Sequence, residues 1–247
     1  MIKLILSLTG LIILGYLMGN ISNARIISRI INKDITKLGS GNPGTMNMTR
    51  NFGAKLGLLT LVLDIIKSVI PCLIAFLVAK YIVLDYINIL IYATGLSVVI
   101  GHIFPVIYKF KGGKGVASTI GIFLVVYPIY TIIALILGLV VLLIFKIGSL
   151  TSFCVIISLS VVGIVFANNF VEIILVVLLL VIILLTHIQN IKKLLTGKEN
   201  KVELFKNKNH TNLDHQINKQ DEIKEEEQAK VEDNKIEDNK NIDNKIN

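Results

Sequence analysis

The chain of 247 residues contains no tryptophan, only four prolines and only two cysteines. Cys72 and Cys154 lie in different apolar runs, and neither has a cysteine or histidine nearby at a metal-binding spacing. A disulfide framework and a cysteine-based metal site are therefore not indicated, and each cysteine is predicted to be a small core residue. No other pattern in the sequence predicts a metal site or a bound cofactor.

Acidic residues are scarce outside the C-terminal segment. Residues 1–197 hold four of them, Asp34, Asp64, Asp85 and Glu172, against 15 lysines and arginines, which gives a net charge of +11. None of these acids is well placed as a Ser-His-Asp partner, and they form no cluster of metal-binding aspartates of the kind that a phosphotransferase acting on nucleotide-activated alcohols needs. The positive excess lies in loops, which fits membrane topology and an anionic ligand better than nucleic acid.

Long apolar runs dominate the chain. Hydrophobic residues make up 53% of it and the mean hydropathy is +0.73, which is too apolar for a soluble chain of this length. A membrane helix needs roughly 20 mainly apolar residues. Seven runs approach this length, near 2–22, 54–79, 84–107, 115–127, 129–146, 150–167 and 169–186. The sequence therefore predicts an all-α, polytopic integral membrane protein with about seven transmembrane helices, the fourth of them short.

The charges in the connections predict the orientation. Lysines and arginines cluster between the first two runs, between the third and fourth, after the fifth and after the seventh, whereas the other connections carry few charges. Because positive residues mark cytoplasmic loops, seven spans place the N-terminus outside and the C-terminal segment in the cytoplasm. If Pro128 only kinks one long helix, six spans result and the later basic loops change sides.

The composition changes at Lys198. Residues 1–197 are predicted to form a membrane domain, whereas residues 198–247 combine 10 lysines with 13 acids and end in a rough Asp-Asn-Lys repeat. Low hydrophobicity with mixed charge is typical of a solvated, disordered segment. This charged tail is predicted to be cytoplasmic and to carry no chemistry.

Two charged residues, Asp64 and Lys67, interrupt the second apolar run at positions i and i+3, on one helical face. A charge inside a membrane is costly unless it faces a partner, a cavity or the interface. The favoured interpretation is a mutually satisfied structural pair near the cytoplasmic surface. Direct contact with a substrate is the less favoured alternative.

Three polar stretches separate the apolar runs, here called motif 1 (residues 39–50), motif 2 (101–118) and motif 3 (186–199). Motif 2, GHIFPVIYKFKGGKGVAS, combines glycines that expose backbone N–H groups with lysines and a helix start, a combination typical of a phosphate site. Motif 1, GSGNPGTMNMTR, offers small polar donors and an arginine that can bind phosphate through two hydrogen bonds. Motif 3, THIQNIKKLLTGKE, places a histidine and an asparagine on one helical face. Each stretch alone is also typical of an ordinary loop between helices.

Together the motifs resemble those of the bacterial membrane acyltransferase family that uses acyl phosphate and glycerol 3-phosphate, the PlsY family. Motif 1 is similar to the family pattern GSGN-x-GATN-xx-R, motif 2 to GH-xx-P with FKGGKGVA, and motif 3 to RH-xx-NI-x-RL-xx-G-x-E. The resemblance covers about residues 1–201 in order and spacing. The chain departs from the family at Thr45-Met46, where Ala-Thr is usual, and at Thr186 and Lys193, where arginine is usual. Lys193 keeps the charge without the planar fork of arginine.

The resemblance implies a reaction and a set of substrate-binding residues. It implies transfer of a fatty acyl group from acyl phosphate to the 1-hydroxyl of glycerol 3-phosphate, which gives lysophosphatidate and phosphate in the first acylation of phospholipid synthesis. It implies no cofactor, and as partners the bilayer and the soluble phosphate acyltransferase that makes acyl phosphate (PlsX). The substrate-binding residues that it implicates are Ser40, Gly41, Asn42, Gly44, Asn47, Arg50, Lys111, Gly112, Gly113, Lys114, Gly115 and Asn190.

The candidate catalytic residues are His102, His187 and Ser149. Either histidine can be a general base, with the substrate phosphate as an alternative proton acceptor. Ser149 resembles a family serine near the active site, but it can equally be a cap of the helix predicted for the sixth apolar run, 150–167. Because acyl phosphate has a good leaving group, direct attack by the glycerol hydroxyl needs no covalent enzyme intermediate. The rival interpretation is a transporter of a phosphorylated solute, although the internal repeat typical of many transporters is not evident.

Overall fold

The computed structural model describes residues 1–202, which are mostly helical. Residues 203–247, on which most of the predicted disordered tail falls, lie outside the described residues. The helices α1 to α10 are Ile2–Gly19, Asn23–Ile30, Thr45–Phe52, Ala54–Ile82, Ile87–Ile103, Val116–Val126, Pro128–Phe145, Gly148–Val165, Phe170–Thr186 and Ile188–Leu195. Short 3-10 turns lie at Ile35–Lys37, Leu84–Tyr86 and Val106–Tyr108. The predicted all-helical fold is confirmed.

Each of the seven apolar runs forms a helix. By length and composition, five segments within residues 1–202 are long enough to cross a membrane, and α9 joined to α10 through a bend of 59° makes a sixth. The five are Ile2–Ile30, Ala54–Ile82, Leu84–Tyr108, Pro128–Phe145 and Gly148–Val165. With 11 residues, α6 rises only about 17 Å, short of a hydrocarbon core of about 30 Å. The multi-pass integral membrane architecture is confirmed, with α6 as the short fourth helix.

Pro128 separates two helices. It occupies the first position of α7, where a missing N–H costs no helical hydrogen bond, and Tyr127 stands between it and the end of α6. The Tyr127 hydroxyl donates to the carbonyl oxygen of Phe166, just past the end of α8, at 3.0 Å. The end of α6 therefore lies beside the end of α8, and α7 runs from there back to the start of α8. The direction of the chain thus reverses at Tyr127. A single kinked helix, the alternative considered from the sequence, is therefore wrong.

Helix α5 lies at the centre of the body and is held by close backbone packing. Gly19 of α1 meets Gly101 of α5 so closely that a side chain on either glycine would collide with the backbone of the other helix. Small residues permit such contacts between membrane helices. On the other side, Tyr92 packs edge-on against Phe123 of α6, with 5.8 Å between the ring centroids. The C-terminal end of α5, which carries His102, is thereby fixed.

The outer faces of the later helices are apolar and exposed. Ile132 and Leu143 of α7 and Val161 of α8 are each more than half exposed, and α9 shows the same pattern. An apolar surface of this extent would be unfavourable in water. It is the surface expected of helices that face lipid.

Candidate active site

The three motifs converge on one cavity of about 780 Å³. It lies at the end of the helical body where α3, α6, α8 and α10 begin and where α5 and α9 finish. The motifs supply a polar part of the lining, and α4, α6, α7 and α8 supply an apolar part. Polar loops that are far apart in the chain therefore share one compartment with an apolar recess.

Four helix N-termini border this cavity. Residues in the first turns of α3, α6, α8 and α10 contribute to its lining, and no side chain within residues 1–202 caps any of the four helices. The N-terminal end of a helix carries unpaired N–H donors and a partial positive charge. Four such ends around one cavity favour an anionic ligand, such as a phosphate or a carboxylate group.

Lys114 and Arg50 add two cations. Lys114 Nζ donates to Asn190 Oδ1, and Asn190 Nδ2 donates to a Glu199 carboxylate oxygen at 2.7 Å. Arg50 Nη2 donates to the carbonyl oxygen of Asn200 at 3.0 Å, whereas its Nε is buried without a partner among the described residues. Burial lowers the pKa of Lys114 to about 8 and also lowers the pKa of Arg50. Both cations are therefore poorly solvated, which strengthens their attraction for an anion.

Asn47 holds the glycine loop of motif 1 in place. Its Oδ1 accepts from the Ser40 N–H at 3.1 Å, and its Nδ2 donates to the carbonyl oxygens of Ile35 and Leu38 at 3.3 and 3.0 Å. Because these bonds occupy the Asn47 amide, the side chain positions the loop rather than offering donors to a ligand. The residues that the loop brings to the cavity are Ser40, Gly41, Asn42 and Gly44.

The glycines of motif 2 have different roles. Gly113 N–H donates to the carbonyl oxygen of His102 at 3.0 Å, and a side chain on Gly112 or Gly113 would collide with the end of α5. These two glycines pack against α5 and do not line the cavity. Gly115 does line it and starts α6 with a φ of +87°, in the left-handed region that glycine adopts without strain. Motif 2 thus reaches the cavity through His102, Lys111 and residues 114–117.

His187 is arranged as a proton acceptor. Its Nδ1 lies 2.8 Å from the carbonyl oxygen of Ile183, which can only accept, so Nδ1 carries the ring proton. The Nε2 atom of the neutral ring then keeps a free lone pair. Phe153 packs edge-on against the ring at 5.3 Å between centroids, and His187 borders the cavity.

His102 has the opposite arrangement. Its Nδ1 lies 2.7 Å from Lys67 Nζ, and Lys67 also forms an ion pair with Asp64 at 3.0 Å. A charged lysine only donates, so His102 Nδ1 accepts and Nε2 carries the ring proton. Asn23 Nδ2 completes the cluster by donating to Asp64 Oδ1 at 2.9 Å. His102 therefore has no free lone pair, and a general-base role fits His187 better.

Ser149 is the second residue of α8, and its Oγ is buried without a hydrogen-bond partner among the described residues. The N-cap of α8 is Ile147, and Ser149 does not cap the helix. Since the residue borders the cavity, its hydroxyl is available to a ligand next to the free N–H groups of the first turn of α8.

The apolar part of the cavity runs into the helical body. It is lined by Leu61 of α4, Ile120 of α6, Leu135 and Leu142 of α7, and Val155 of α8. From its C-terminal end to Leu135, α7 rises about 15 Å, so the recess reaches well below the polar loops. An elongated apolar recess of this kind suits a hydrocarbon chain.

Residues 198–202, which the sequence assigns to the tail, pack against the body. Val202 is buried, and its N–H donates to the carbonyl oxygen of Lys146 at 2.7 Å. Lys201 pairs with Ile147 in an isolated antiparallel bridge. This short segment, here called the strap, covers the turn between α7 and α8.

The strap brings residues to the cavity that were not predicted as site residues. Glu199 and Asn200 line it, together with Gln189 and Lys193 of α10. Glu199 is the last residue of motif 3, and that position was the one signal in the sequence. No feature of the sequence indicated Asn200, because only the pairing of the strap with the α7–α8 turn brings this residue to the cavity.

Comparison with known proteins agrees with this geometry. The description of the family that matches residues 9–197 is glycerol-3-phosphate acyltransferase. The chain belongs to the glycerol-3-phosphate acyltransferase family. A glycerol-3-phosphate acyltransferase of Finegoldia magna is 42% identical over 197 residues, which cover 78% of this chain and 96% of the relative. Glycerol-3-phosphate acyltransferase 2 of Bacillus anthracis is 37% identical and covers 77% of this chain and 97% of the relative.

Solved structures of the glycerol-3-phosphate acyltransferase family share the fold. The crystal structure of PlsY (YgiH), an integral membrane glycerol 3-phosphate acyltransferase, in its glycerol 3-phosphate form matches with a TM-score of 0.73 and 34% identity. The match covers 80% of this chain and 96% of the other. The lysophosphatidic acid form of PlsY matches with a TM-score of 0.70 over the same shares.

As a member of the glycerol-3-phosphate acyltransferase family, the chain is an acyltransferase, and the cavity is its candidate active site. Of the residues that the resemblance implicated, all except Gly112 and Gly113 border this cavity. The structure thus brings together His102, Ser149, His187 and the polar residues of all three motifs.

Proposed function

We propose that this acyltransferase takes a fatty acyl group from acyl phosphate and transfers it to the 1-hydroxyl of glycerol 3-phosphate, which gives lysophosphatidate and phosphate. The observation that carries the proposal is one cavity that combines uncapped helix N-termini and poorly solvated cations with an apolar recess. Both proposed substrates carry phosphate, and one carries a fatty chain. The proposal is also supported by relatives described as glycerol-3-phosphate acyltransferases and by the glycerol 3-phosphate form of PlsY.

The proposed step is a direct displacement. The hydroxyl oxygen of glycerol 3-phosphate attacks the carbonyl carbon of acyl phosphate, and an ester C–O bond forms. The C–O bond to the phosphate breaks, and phosphate leaves with the electron pair. Because the leaving group is good, positioning of the substrates and stabilisation of the developing charge are sufficient for catalysis.

In this mechanism His187 Nε2 accepts the proton of the attacking hydroxyl. The bond from Nδ1 to Ile183 fixes the required tautomer, and a positioned base of this kind contributes roughly 10²- to 10⁴-fold to a rate. The phosphate of a substrate is the alternative acceptor. His102 is proposed to act as a donor, positioned by Lys67.

Charge in the transition state is proposed to be stabilised by Ser149 and the first turn of α8. The unpaired Ser149 hydroxyl and the neighbouring N–H groups form a set of donors for the carbonyl oxygen as it becomes negative. Lys114 and Arg50 are proposed to hold the phosphate groups, and Asn190 to position Lys114. The fatty chain occupies the apolar recess.

We further propose that the cavity faces the cytoplasm of a bacterial cell, with the N-terminus outside and the C-terminal segment inside. The support is the cluster of basic residues in the loops at the cavity end, which is typical of cytoplasmic loops. A cytoplasmic cavity is open to glycerol 3-phosphate and to acyl phosphate made by a soluble phosphate acyltransferase (PlsX), the proposed partner. We retain residues 1–197 as the membrane domain, with the strap packed on it.

Transport of a phosphorylated solute is not favoured, because a transporter needs access from both sides of the membrane. The cavity lies at one end of the body, and a hydrogen-bonded polar network around Glu172 lies at the opposite end of residues 1–202.

The test uses purified protein in lipid nanodiscs with palmitoyl phosphate and labelled glycerol 3-phosphate. Parallel reactions receive palmitoyl-CoA instead, and a second set uses Lys114→Ala. Formation of lysophosphatidate from acyl phosphate alone, with a loss of about 100-fold or more in kcat/KM for the variant, is the expected result. Product from palmitoyl-CoA alone would overturn the proposed donor. If neither donor gave product, uptake of labelled glycerol 3-phosphate into vesicles would test the transport alternative.

A further inference from the structure

A second, smaller cavity of about 290 Å³ lies beside the first. Its lining includes Arg25 of α2, Tyr108 and Gly112 of motif 2, and it shares Gly41 and Lys111 with the active-site cavity. The proposed reaction does not use Arg25 or Tyr108. Gly41 of motif 1 and Lys111 of motif 2 border both cavities, which are therefore neighbours.

Arg25 is fixed at the wall of the second cavity. Its Nη2 donates to the carbonyl oxygen of Lys111 at 2.6 Å, and its guanidinium lies 4.5 Å above the centroid of the Tyr108 ring. A cation over an aromatic face is stabilised without losing its charge. Arg25 Nε has no hydrogen-bond partner among the described residues. The side chain is thus held in position while part of its donor set stays unused.

The charge of the second cavity is positive. Arg25 and Lys111 both line it, and Lys111 Nζ has no acceptor within residues 1–202. The nearby acid is Asp34, whose Oδ1 accepts from the N–H and hydroxyl of Thr36 at 3.0 and 2.7 Å. Asp34 lies in water, so its attraction for Arg25 is screened. Arg25 and the exposed Lys111 therefore both line a small volume, and neither forms an ion pair within residues 1–202.

We propose that the second cavity binds a phosphate-class anion. Its source is either inorganic phosphate released from the active site or the phosphate of an anionic lipid headgroup. A fixed guanidinium is suited to phosphate because its planar donors match two oxygens of the anion. The free-phosphate source rests on the proposed acyl phosphate donor, whereas binding itself does not.

The test measures binding rather than turnover, so that it is independent of the acyl donor. The full chain carries Lys114→Ala to weaken the active-site cavity, in nanodiscs of phosphatidylcholine, and inorganic phosphate is titrated by ³¹P NMR line broadening. Adding Arg25→Gln is expected to weaken phosphate binding about tenfold, the loss of one charge-assisted contact. Arg29→Gln, an exposed arginine on the same helix, is the matched control and should change little.

A second arm identifies a lipid source. In nanodiscs that contain phosphatidylglycerol, native mass spectrometry of wild type, Arg25→Gln and Arg29→Gln counts the retained anionic lipids. Loss of one lipid in Arg25→Gln alone indicates a headgroup site, and a change in the phosphate titration alone indicates free phosphate. If Arg25→Gln folds poorly, both measurements are repeated with Tyr108→Leu, which removes the ring below Arg25. Equal behaviour of the two arginine variants in both arms, with Tyr108→Leu also unchanged, would overturn the proposal.

Discussion

The two ends of the helical body differ in how far they satisfy their own polar groups. At the end opposite the cavity, Glu172 is buried and accepts from Asn169 Nδ2, the Asn168 N–H and Asn88 Nδ2 at 2.9, 3.1 and 3.3 Å. Asn169 also caps α9 by accepting from the Glu172 N–H at 3.1 Å. At the cavity end Ser149 Oγ, Arg50 Nε and one carboxylate oxygen of Glu199 are buried without hydrogen-bond partners among the described residues.

This difference separates stability from function. An unsatisfied buried polar group costs roughly 1–3 kcal/mol of folding free energy. The polar groups at the cavity end therefore contribute less to stability than those at the opposite end. Such a loss of stability is expected at a site where a substrate supplies the missing hydrogen-bond partners. Substitutions at the cavity end should therefore change turnover more than stability, and substitutions at the opposite end should do the reverse.

The largest expected effect concerns His187. The variant His187→Gln keeps a polar side chain but cannot take up a proton, so kcat should fall by about 100-fold or more. Steady-state kinetics with acyl phosphate would measure this, and an unchanged thermal unfolding midpoint would show that the fold is intact. A decrease of less than threefold would contradict the assignment and favour the substrate phosphate as proton acceptor.

The next prediction concerns the pH dependence of substrate binding through Lys114. Its pKa is lowered to about 8 by burial, so the ammonium is charged below pH 8 and loses its charge above it. Glycerol 3-phosphate is already a dianion there, because phosphate monoesters have a second pKa near about 6. The KM for glycerol 3-phosphate should therefore rise about tenfold between pH 7 and pH 9.

Lys114→Arg is the matched variant for this profile, because arginine stays charged throughout the range. Its KM should be higher than that of wild type at pH 7 but nearly constant up to pH 9. A flat wild-type profile would show that Lys114 does not bind the phosphate through its charge.

A smaller effect is expected for Ser149→Ala. Loss of one neutral hydrogen bond in the transition state should lower kcat/KM about five- to tenfold. Stability should not fall, because the Oγ atom has no partner to lose within residues 1–202. Ser160→Ala, further along α8, is the control for a serine away from the cavity. Full activity and unchanged substrate affinity in Ser149→Ala would remove this residue from the site.

The smallest effect on turnover is expected at the opposite end. Glu172→Gln removes a charge that accepts hydrogen bonds from three asparagines, so the free energy of unfolding should fall by about 1–3 kcal/mol. The kcat of the folded protein should stay within twofold. Thermal unfolding in detergent and turnover of the remaining folded fraction would measure the two effects. A large loss of kcat without loss of stability would contradict the conclusion that the opposite end contributes mainly to stability.

Much of the fold was predictable, because helix formation in a membrane is a local property. Each apolar run must satisfy its own backbone hydrogen bonds in lipid, and only a helix allows this within one segment. The run length therefore located the helices, and Pro128 marked a boundary because proline suits the first turn of a helix. The motifs in turn indicated which loops meet at the candidate site.

The sequence did not distinguish residues of the same type by their surroundings. His102 and His187 both lie at the end of a membrane helix. However, Lys67 donates to Nδ1 of His102, whereas the carbonyl oxygen of Ile183 accepts from Nδ1 of His187. Similarly, Gly113 and Gly115 belong to one motif, but only Gly115 lines the cavity. These differences depend on neighbours that are distant in the chain.

The sequence by itself determined the apolar helices, the three polar motifs and the excess of positive charge, because all of these follow from local composition. Only the tertiary structure decided that four helix N-termini open into one cavity, that the strap packs beside Arg50, and that Arg25 lies over Tyr108. The physical reason is that hydrogen bonds and ion pairs join side chains from different helices. Their partners are fixed only when the helices pack together.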